Sequence, residues 1–137
     1  MQFHLRIARP VSNLEQSVIL YHKGLGLDEI GRFENHEGFD GVMLGKPGLI
    51  YHFEFTYCRT HPVVPTPTPE DLIVFYLPEP NEWQRSCLLM LEAGFAEVAS
   101  FNPYWQFHGR TFEDQTAIVS CCSRLLGIFA RKILIND

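Results

Sequence analysis

The sequence has no apolar run long enough to cross a bilayer, and its first residues lack the basic-then-apolar pattern of a signal peptide. Lys and Arg form no cluster, and they number 11 against 16 acidic residues, for a net charge of −5. Because nucleic-acid binders usually carry a basic face, we expect neither nucleic acid nor a membrane as a partner. The expected location is cytoplasmic.

The four cysteines form no C-x-x-C pair and no zinc-finger spacing, which argues against a disulfide scaffold or structural zinc. We expect free thiols that mostly pack in the interior. The 137 residues are 46% hydrophobic and 20% charged, close to the globular average, so the chain is not intrinsically disordered. This length suits one domain or two small halves.

A proline-rich segment, T-H-P-V-V-P-T-P-T-P at residues 60–69, divides the chain near its middle. Four prolines in ten residues cannot continue a helix or an inner strand. We therefore predict a first module at residues 1–60, a linker at 61–69 and a second module at 70–137.

The two halves share one order of features. Each opens with a strand-like run, at residues 3–9 or 72–77, followed by a proline, a helical pattern and a glycine. The proline-to-glycine spacing is the same in Pro10–Gly26 and Pro78–Gly94. Ser12 is expected to cap the first helix in a capping box with Glu15.

Further strand patterns follow each glycine, at residues 27–33, 39–44 and 49–58 in one half and 96–101, 109–113 and 117–121 in the other. Residues 102–105 are interpreted as a loop. The predicted fold is α+β, with two tandem βαβββ modules that form a curled mixed sheet around a cup.

Three segments resemble the vicinal oxygen chelate superfamily: residues 9–27, the strand Y-H-F-E-F-T at 51–56, and N-P-Y-W…H-G-R-T-F-E-D at 102–114. That group includes glyoxalase I, fosfomycin-resistance enzymes, extradiol dioxygenases and bleomycin-binding proteins. The resemblance implies a glyoxalase-like cup, often with a divalent metal (Mn, Ni, Zn or Fe) held by His and Glu on the first and fourth strands of each module. It also implies a homodimer.

Carried onto this sequence, the family glutamate falls on Glu54. His52 lies two residues earlier and so on the same strand face, where the two could chelate a metal or act as a catalytic acid–base pair. The family histidine of the first strand falls near Leu5 or Arg6, which makes the adjacent His4 a third candidate ligand. The alternative is a sheet face that carries solvated polar groups.

The second module offers Asp71 before an apolar first strand and no carboxylate on its last strand. At most two of the four family ligand positions survive, so a cup without a cofactor is equally compatible with the sequence. The other candidates for binding a ligand are Arg6, Arg9, Tyr76, Asn102, Tyr104, Trp105 and Arg110.

Three functions stay open at this point. The first is a binding protein of the bleomycin-resistance kind that holds a small molecule in its cup. The second is a metal-dependent lyase, isomerase, thiol transferase or dioxygenase that uses Glu54 and His52. The third is a scaffold whose cup is filled by side chains.

The family motif F-E-D at residues 112–114 normally continues P-D-G-Y-R, whereas this chain continues Q-T-A-I-V-S-C-C. Deleting one C from a message for D-P-D-G-Y-R-I-V-L produces codons for D-Q-T-A-I-V-S-C-C, which matches residues 114–122. We predict that residues from Gln115 onward are a frameshifted tail.

Resequencing the gene across the codons for Asp114 and Gln115 tests this prediction. The expected result is one missing base, whose restoration recovers the family motif. A relative that matches this chain through residues 115–137 without a shift would contradict it.

Overall fold

The computed structural model describes residues 3–114 in full and the backbone of residues 119–123. The chain divides into two compact units, Met1–Thr66 and Pro67–Asp137. Apart from the backbone of residues 119–123, the tail predicted from Gln115 lies outside the described residues. Among the helices described, none is long and apolar enough to span a membrane.

The first unit forms a four-stranded sheet and one helix. Its elements are β1 (Leu5–Pro10), α1 (Leu14–Leu25), β2 (Asp28–His36), β3 (Phe39–Gly45) and β4 (Tyr51–Cys58). The strand order is β1-β4-β3-β2, with β1 parallel to β4 and the other neighbours antiparallel. The first and last strands of the unit, which are distant in sequence, are therefore neighbours in the sheet.

The second unit repeats this topology with one addition. Its elements are β5 (Leu72–Tyr76), α2 (Pro80–Ala93), β6 (Ala96–Val98), α3 (Pro103–His108), β7 (Gly109–Glu113) and β8 (Val119–Ser123). The strand order is β5-β8-β7-β6, and β5 is parallel to β8. The predicted α+β fold of two tandem βαβββ modules is confirmed.

The short helix α3 corrects the loop expected at residues 102–105. Asn102 caps it, because its side chain accepts a hydrogen bond from the Tyr104 amide at 3.0 Å. Pro103 occupies its first turn, where a missing N–H costs nothing. The dipeptide Asn-Pro is thus a helix start in this chain.

The ends of the longer helices follow local chemistry. Asn13 caps α1, not Ser12 as expected, and its Oδ1 accepts from the Gln16 amide at 3.1 Å. At the other end Gly26 has φ of +69°, and Gly94 after α2 has φ of +116°. Both helices end at the predicted glycines, because this left-handed conformation suits glycine.

Strand β4 alternates between the core and the opposite face of the sheet. Phe53 and Phe55 are fully buried, and their ring centroids lie 5.3 and 4.7 Å from that of the buried Tyr21 on α1. Because side chains alternate along a strand, His52 and Glu54 point to the face away from α1. The aromatic core therefore determines which residues of β4 are free for chemistry.

The same alternation holds in the second unit. Phe112 of β7 is fully buried, as are Cys87 and Met90 on α2. Thr111 and Glu113 lie on the other face of β7.

Replacing Phe53 with Ala should remove the centre of the first unit's core. We expect the free energy of unfolding to fall by about 3–5 kcal/mol, the usual cost of deleting a buried aromatic ring. The matched control is Phe107→Ala, since Phe107 is 85% exposed, and it should change stability by less than about 0.5 kcal/mol. Urea unfolding measures both, and equal losses would contradict this account of the core.

Candidate functional site

The parallel pairing of β1 with β4 builds a polar cluster on the face of the sheet away from α1. In the register, Arg6 lies beside His52 and Ala8 beside Glu54, while Met43 of β3 lies on the other side of Glu54. His4 precedes β1 and stacks on His52, with ring centroids 4.8 Å apart. We call His4, Arg6, Met43, His52 and Glu54 the polar cluster.

The guanidinium of Arg6 is the centre of the polar cluster. Its Nε donates to His52 Nε2 at 2.9 Å, and its Nη1 donates to Glu54 Oε2 at 3.0 Å. A third contact, from Nη2 to the sulfur of Met43, measures 3.7 Å. The side chain of Arg6 is 51% exposed and that of Glu54 only 16%, so the cation is the part that solvent or a ligand can reach.

These contacts determine the tautomer of His52. Because Arg6 can only donate, Nε2 of His52 must accept and carries no proton. Neutral His52 therefore holds its proton on Nδ1, which lies 2.6 Å from Nε2 of His4 and donates to it. Both ring nitrogens of His52 are engaged.

The environment lowers the pKa of His52 below its ordinary value of 6.5. The main cause is burial, followed by the positive charge of Arg6 and by His4, while Glu54 acts in the opposite direction. The neutral imidazole therefore dominates near neutral pH, which is the form that the Arg6 contact requires.

The three predicted metal ligands, His4, His52 and Glu54, come together here, but this arrangement does not fit a divalent cation. The lone pair of His52 is directed at Arg6, its other nitrogen carries a proton, and Glu54 already pairs with the guanidinium. Within the residues described, no group of three or more His, Cys, Asp or Glu is arranged to hold a metal. Instead, the permanently charged guanidinium of Arg6 lies beside the predicted metal ligands His52 and Glu54.

Two predicted binding residues lie on the helix-packed faces of their sheets. Arg9 is beside the buried Phe55 in register, and its Nε is buried with no hydrogen-bond partner in the described part of the chain. Arg110 lies over the rings of Phe112 and Trp83, at 5.6 and 6.0 Å from the centroids.

Arg110 also pairs with Glu97. Its Nε and Nη2 donate to the two carboxylate oxygens at 2.8 and 2.7 Å. The hydrogen bonds from Arg110 lower the pKa of Glu97 and keep it ionised. A ligand would have to compete with this bidentate pair for the guanidinium.

The remaining candidates belong to the second unit. Tyr76 is exposed at the end of β5. Asn102 caps α3, which carries Tyr104 and Trp105, and the ring centroids of those two residues lie 4.9 Å apart. The capping bond occupies Oδ1 of Asn102.

Arg6 is the centre of the polar cluster, whereas the sequence indicated it only as one of several residues that could bind a ligand. The signal was present, because Arg6 occupies one of the two positions where the family's first-strand histidine is expected. Met43 carried no comparable signal, since it joins the cluster only through the register of β3 against β4.

Comparison with known proteins agrees with this architecture. Residues 5–56 match the YycE-like N-terminal domain and residues 70–117 the YycE-like C-terminal domain. The chain is 43% identical over 110 residues to the uncharacterized protein YycE of Bacillus subtilis (strain 168), covering 80% of this chain and 79% of that protein. The chain belongs to the YycE-like family.

Several solved structures also have folds similar to that of this chain. The crystal structure of a YycE protein of unknown function from Bacillus subtilis has a TM-score of 0.84 at 39% identity, covering 91% of each chain. Glyoxalase I from Leishmania major has a TM-score of 0.68 at 14% identity, covering 99% of this chain and 91% of that one. TnmS3, an antibiotic-binding protein from Streptomyces sp. CB03234, has a TM-score of 0.59 at 16% identity, covering 90% and 95%. The predicted resemblance to the vicinal oxygen chelate superfamily is confirmed at the level of fold.

The polar cluster should be sensitive to acid. Because the pKa of His52 is lower in the folded chain, the unfolded chain binds more protons between the folded value and about 6.5. The free energy of unfolding should therefore rise with pH through this window and fall as the pH drops below about 6.5.

Thermal unfolding measured across that pH range checks this expectation. His52→Gln should flatten the acid-dependent loss, and His61→Gln, at an exposed position in the proline-rich segment, should leave it unchanged. An identical slope in the wild type and His52→Gln would refute the assignment.

Proposed function

We propose that this YycE-like protein binds a small molecule reversibly, and that Arg6 of the polar cluster holds the ligand where metal-dependent relatives would use a cation. The observation that supports this proposal is that the guanidinium of Arg6 lies between His52 and Glu54 and donates a hydrogen bond to each. The favoured ligand presents two neighbouring oxygen acceptors, as in a carboxylate, a phosphonate or an α-dicarbonyl compound.

The hydrogen bonds of Arg6 support this choice. A guanidinium has five N–H groups, and the contacts to His52, Glu54 and Met43 use three of them. Two N–H groups remain for a ligand, and a planar fork of this kind suits paired oxygens. Because its present contacts already hold the side chain, little entropy is lost when a ligand binds.

In this proposal His52 and Glu54 are positioning residues. Glu54 balances the charge of Arg6, and neutral His52 orients the Nε edge of the guanidinium. Antibiotic binding by TnmS3, which has the same fold, is a precedent for a binding role. Cytoplasmic location and homodimer formation stay predictions.

Metal binding separates this proposal from the enzyme alternative. The wild-type protein, purified without chelator or metal-binding tag, should contain far less than one metal ion per chain. Its melting temperature should not change with Mn²⁺, Ni²⁺, Zn²⁺ or Fe²⁺. Arg6→Met frees His52 Nε2 and Glu54, so this variant should gain affinity for Zn²⁺ and Ni²⁺.

Arg59→Met is the matched control, because Arg59 forms a comparable exposed ion pair with Asp40 at 2.8 Å. It should gain no metal affinity. One divalent ion per wild-type chain, lost on Glu54→Gln, would overturn the proposal and favour a metal-dependent enzyme.

Oxalate and fosfomycin serve as probes with paired oxygens in a thermal-shift and calorimetric screen. Binding should persist in excess chelator, disappear in Arg6→Met and survive in Arg59→Met. Binding that requires an added metal, or that Arg6→Met leaves intact, would contradict the assignment.

A further inference from the structure

The second unit contains a cavity of about 460 Å³ that shares no residue with the polar cluster. This volume lies within the range of about 300–1,000 Å³ that is usual for small-molecule sites. The described residues around it come from the end of the proline-rich segment, from β5, from β6 and the chain after it, and from β7.

Most of the cavity wall is apolar. Leu72 of β5 and Val98 of β6 line it from the two edge strands of the sheet, and Pro67 and Pro69 line it from the proline-rich segment. Phe101 lines the cavity while 67% exposed, so an aromatic ring stands at its mouth. Such a wall suits the apolar body of a small organic molecule.

The polar groups of the cavity are few and mostly satisfied. The hydroxyls of Ser100 and Thr111 are hydrogen-bonded to each other, and Thr111 is almost fully buried. The amide of Ser100 donates to the side chain of Gln106 at 2.8 Å. These contacts hold the wall in place. Because the two hydroxyls are already hydrogen-bonded to each other, we do not expect them to be the main contacts of a ligand.

Glu113 differs from the other polar residues of the cavity wall because it carries a carboxylate. Among the lining residues that the structure describes, it is the one ionisable residue, and none of them is Lys or Arg. Its side chain is half-buried, and within residues 3–114 its carboxylate has no hydrogen bond or ion pair. A partly desolvated carboxylate without a partner attracts a cation.

The rim near the linker is also ordered. The Thr68 amide donates to Asp71 Oδ2 at 2.7 Å, and the Asp71 amide donates back to the Thr68 carbonyl at 3.0 Å. This turn fixes the proline-rich side of the cavity before any ligand arrives. A preformed wall reduces the entropy lost on binding.

We propose that this cavity is a binding site for a small organic cation, an ammonium group on an apolar body. The ammonium pairs with Glu113, the apolar body lies against Leu72 and Val98, and Phe101 covers it with its ring face. This site goes beyond the proposed function, because it has the opposite charge preference and depends on none of the same residues.

Three probes of matched size test the site: benzylammonium, benzyl alcohol and benzoate. Titrations followed by amide NMR shifts should show benzylammonium binding best and benzoate worst. The largest shifts are expected at Ser100, Phe101 and Thr111. Glu113→Gln keeps the shape and removes the charge, so benzylammonium should bind about fivefold more weakly, which corresponds to about 1 kcal/mol.

Glu92→Gln is the matched control, since Glu92 is exposed on α2 and does not line the cavity. It should bind benzylammonium as the wild type does, and so should Arg6→Met, which separates this test from that of the proposed function. Equal binding of the three probes, no binding, shifts outside the cavity, or an unchanged affinity in Glu113→Gln would each overturn the proposal.

Discussion

The first unit depends on one pairing, that of β1 with β4 along a parallel register. This pairing joins the start of the unit to its last strand, so it completes the four-stranded sheet through contacts that are distant in sequence. The same register decides two things at once. On one face it places Phe53 and Phe55 under Tyr21, and on the other it brings Arg6 beside His52. A slip of one residue would turn each of these side chains to the wrong face.

The two faces make very different contributions to stability. Each fully buried Phe contributes about 1.5–3 kcal/mol, whereas an ion pair as exposed as Arg6–Glu54 contributes about 0–1 kcal/mol. The Arg6–Glu54 pair therefore contributes little to stability, and stability alone does not explain the order of the polar cluster. A fixed guanidinium with free N–H groups on an open sheet face is better explained by recognition of a ligand.

Much of this arrangement can be predicted from the sequence, and the limits have physical causes. The glycine ends of both helices and the shared face of His52 and Glu54 follow from local rules, which is why they were predictable. The contact between Arg6 and His52 is not local, since it depends on the register of two strands more than 40 residues apart in the chain. The cap at Asn13 is not predictable in this way, because Ser and Asn are equally common as helix caps and Ser12 stands next to Asn13. The helix after Asn102 is not predictable either, because an Asn-Pro pair is also typical of a loop.

Both units share a topology, yet the chemistry on their sheets differs. The first unit carries an arginine held by a histidine and a glutamate, and the second contains a cavity where, among the residues described, Glu113 alone is ionisable. Strand β8 keeps its backbone pairing with β5 and β7 although the sequence departs from the family motif just before it. Backbone pairing needs only N–H and C=O groups, which every residue except proline supplies in full. Topology can therefore persist while side chains change, and function in this family has to be argued from side chains such as Arg6 and Glu113, not from the fold.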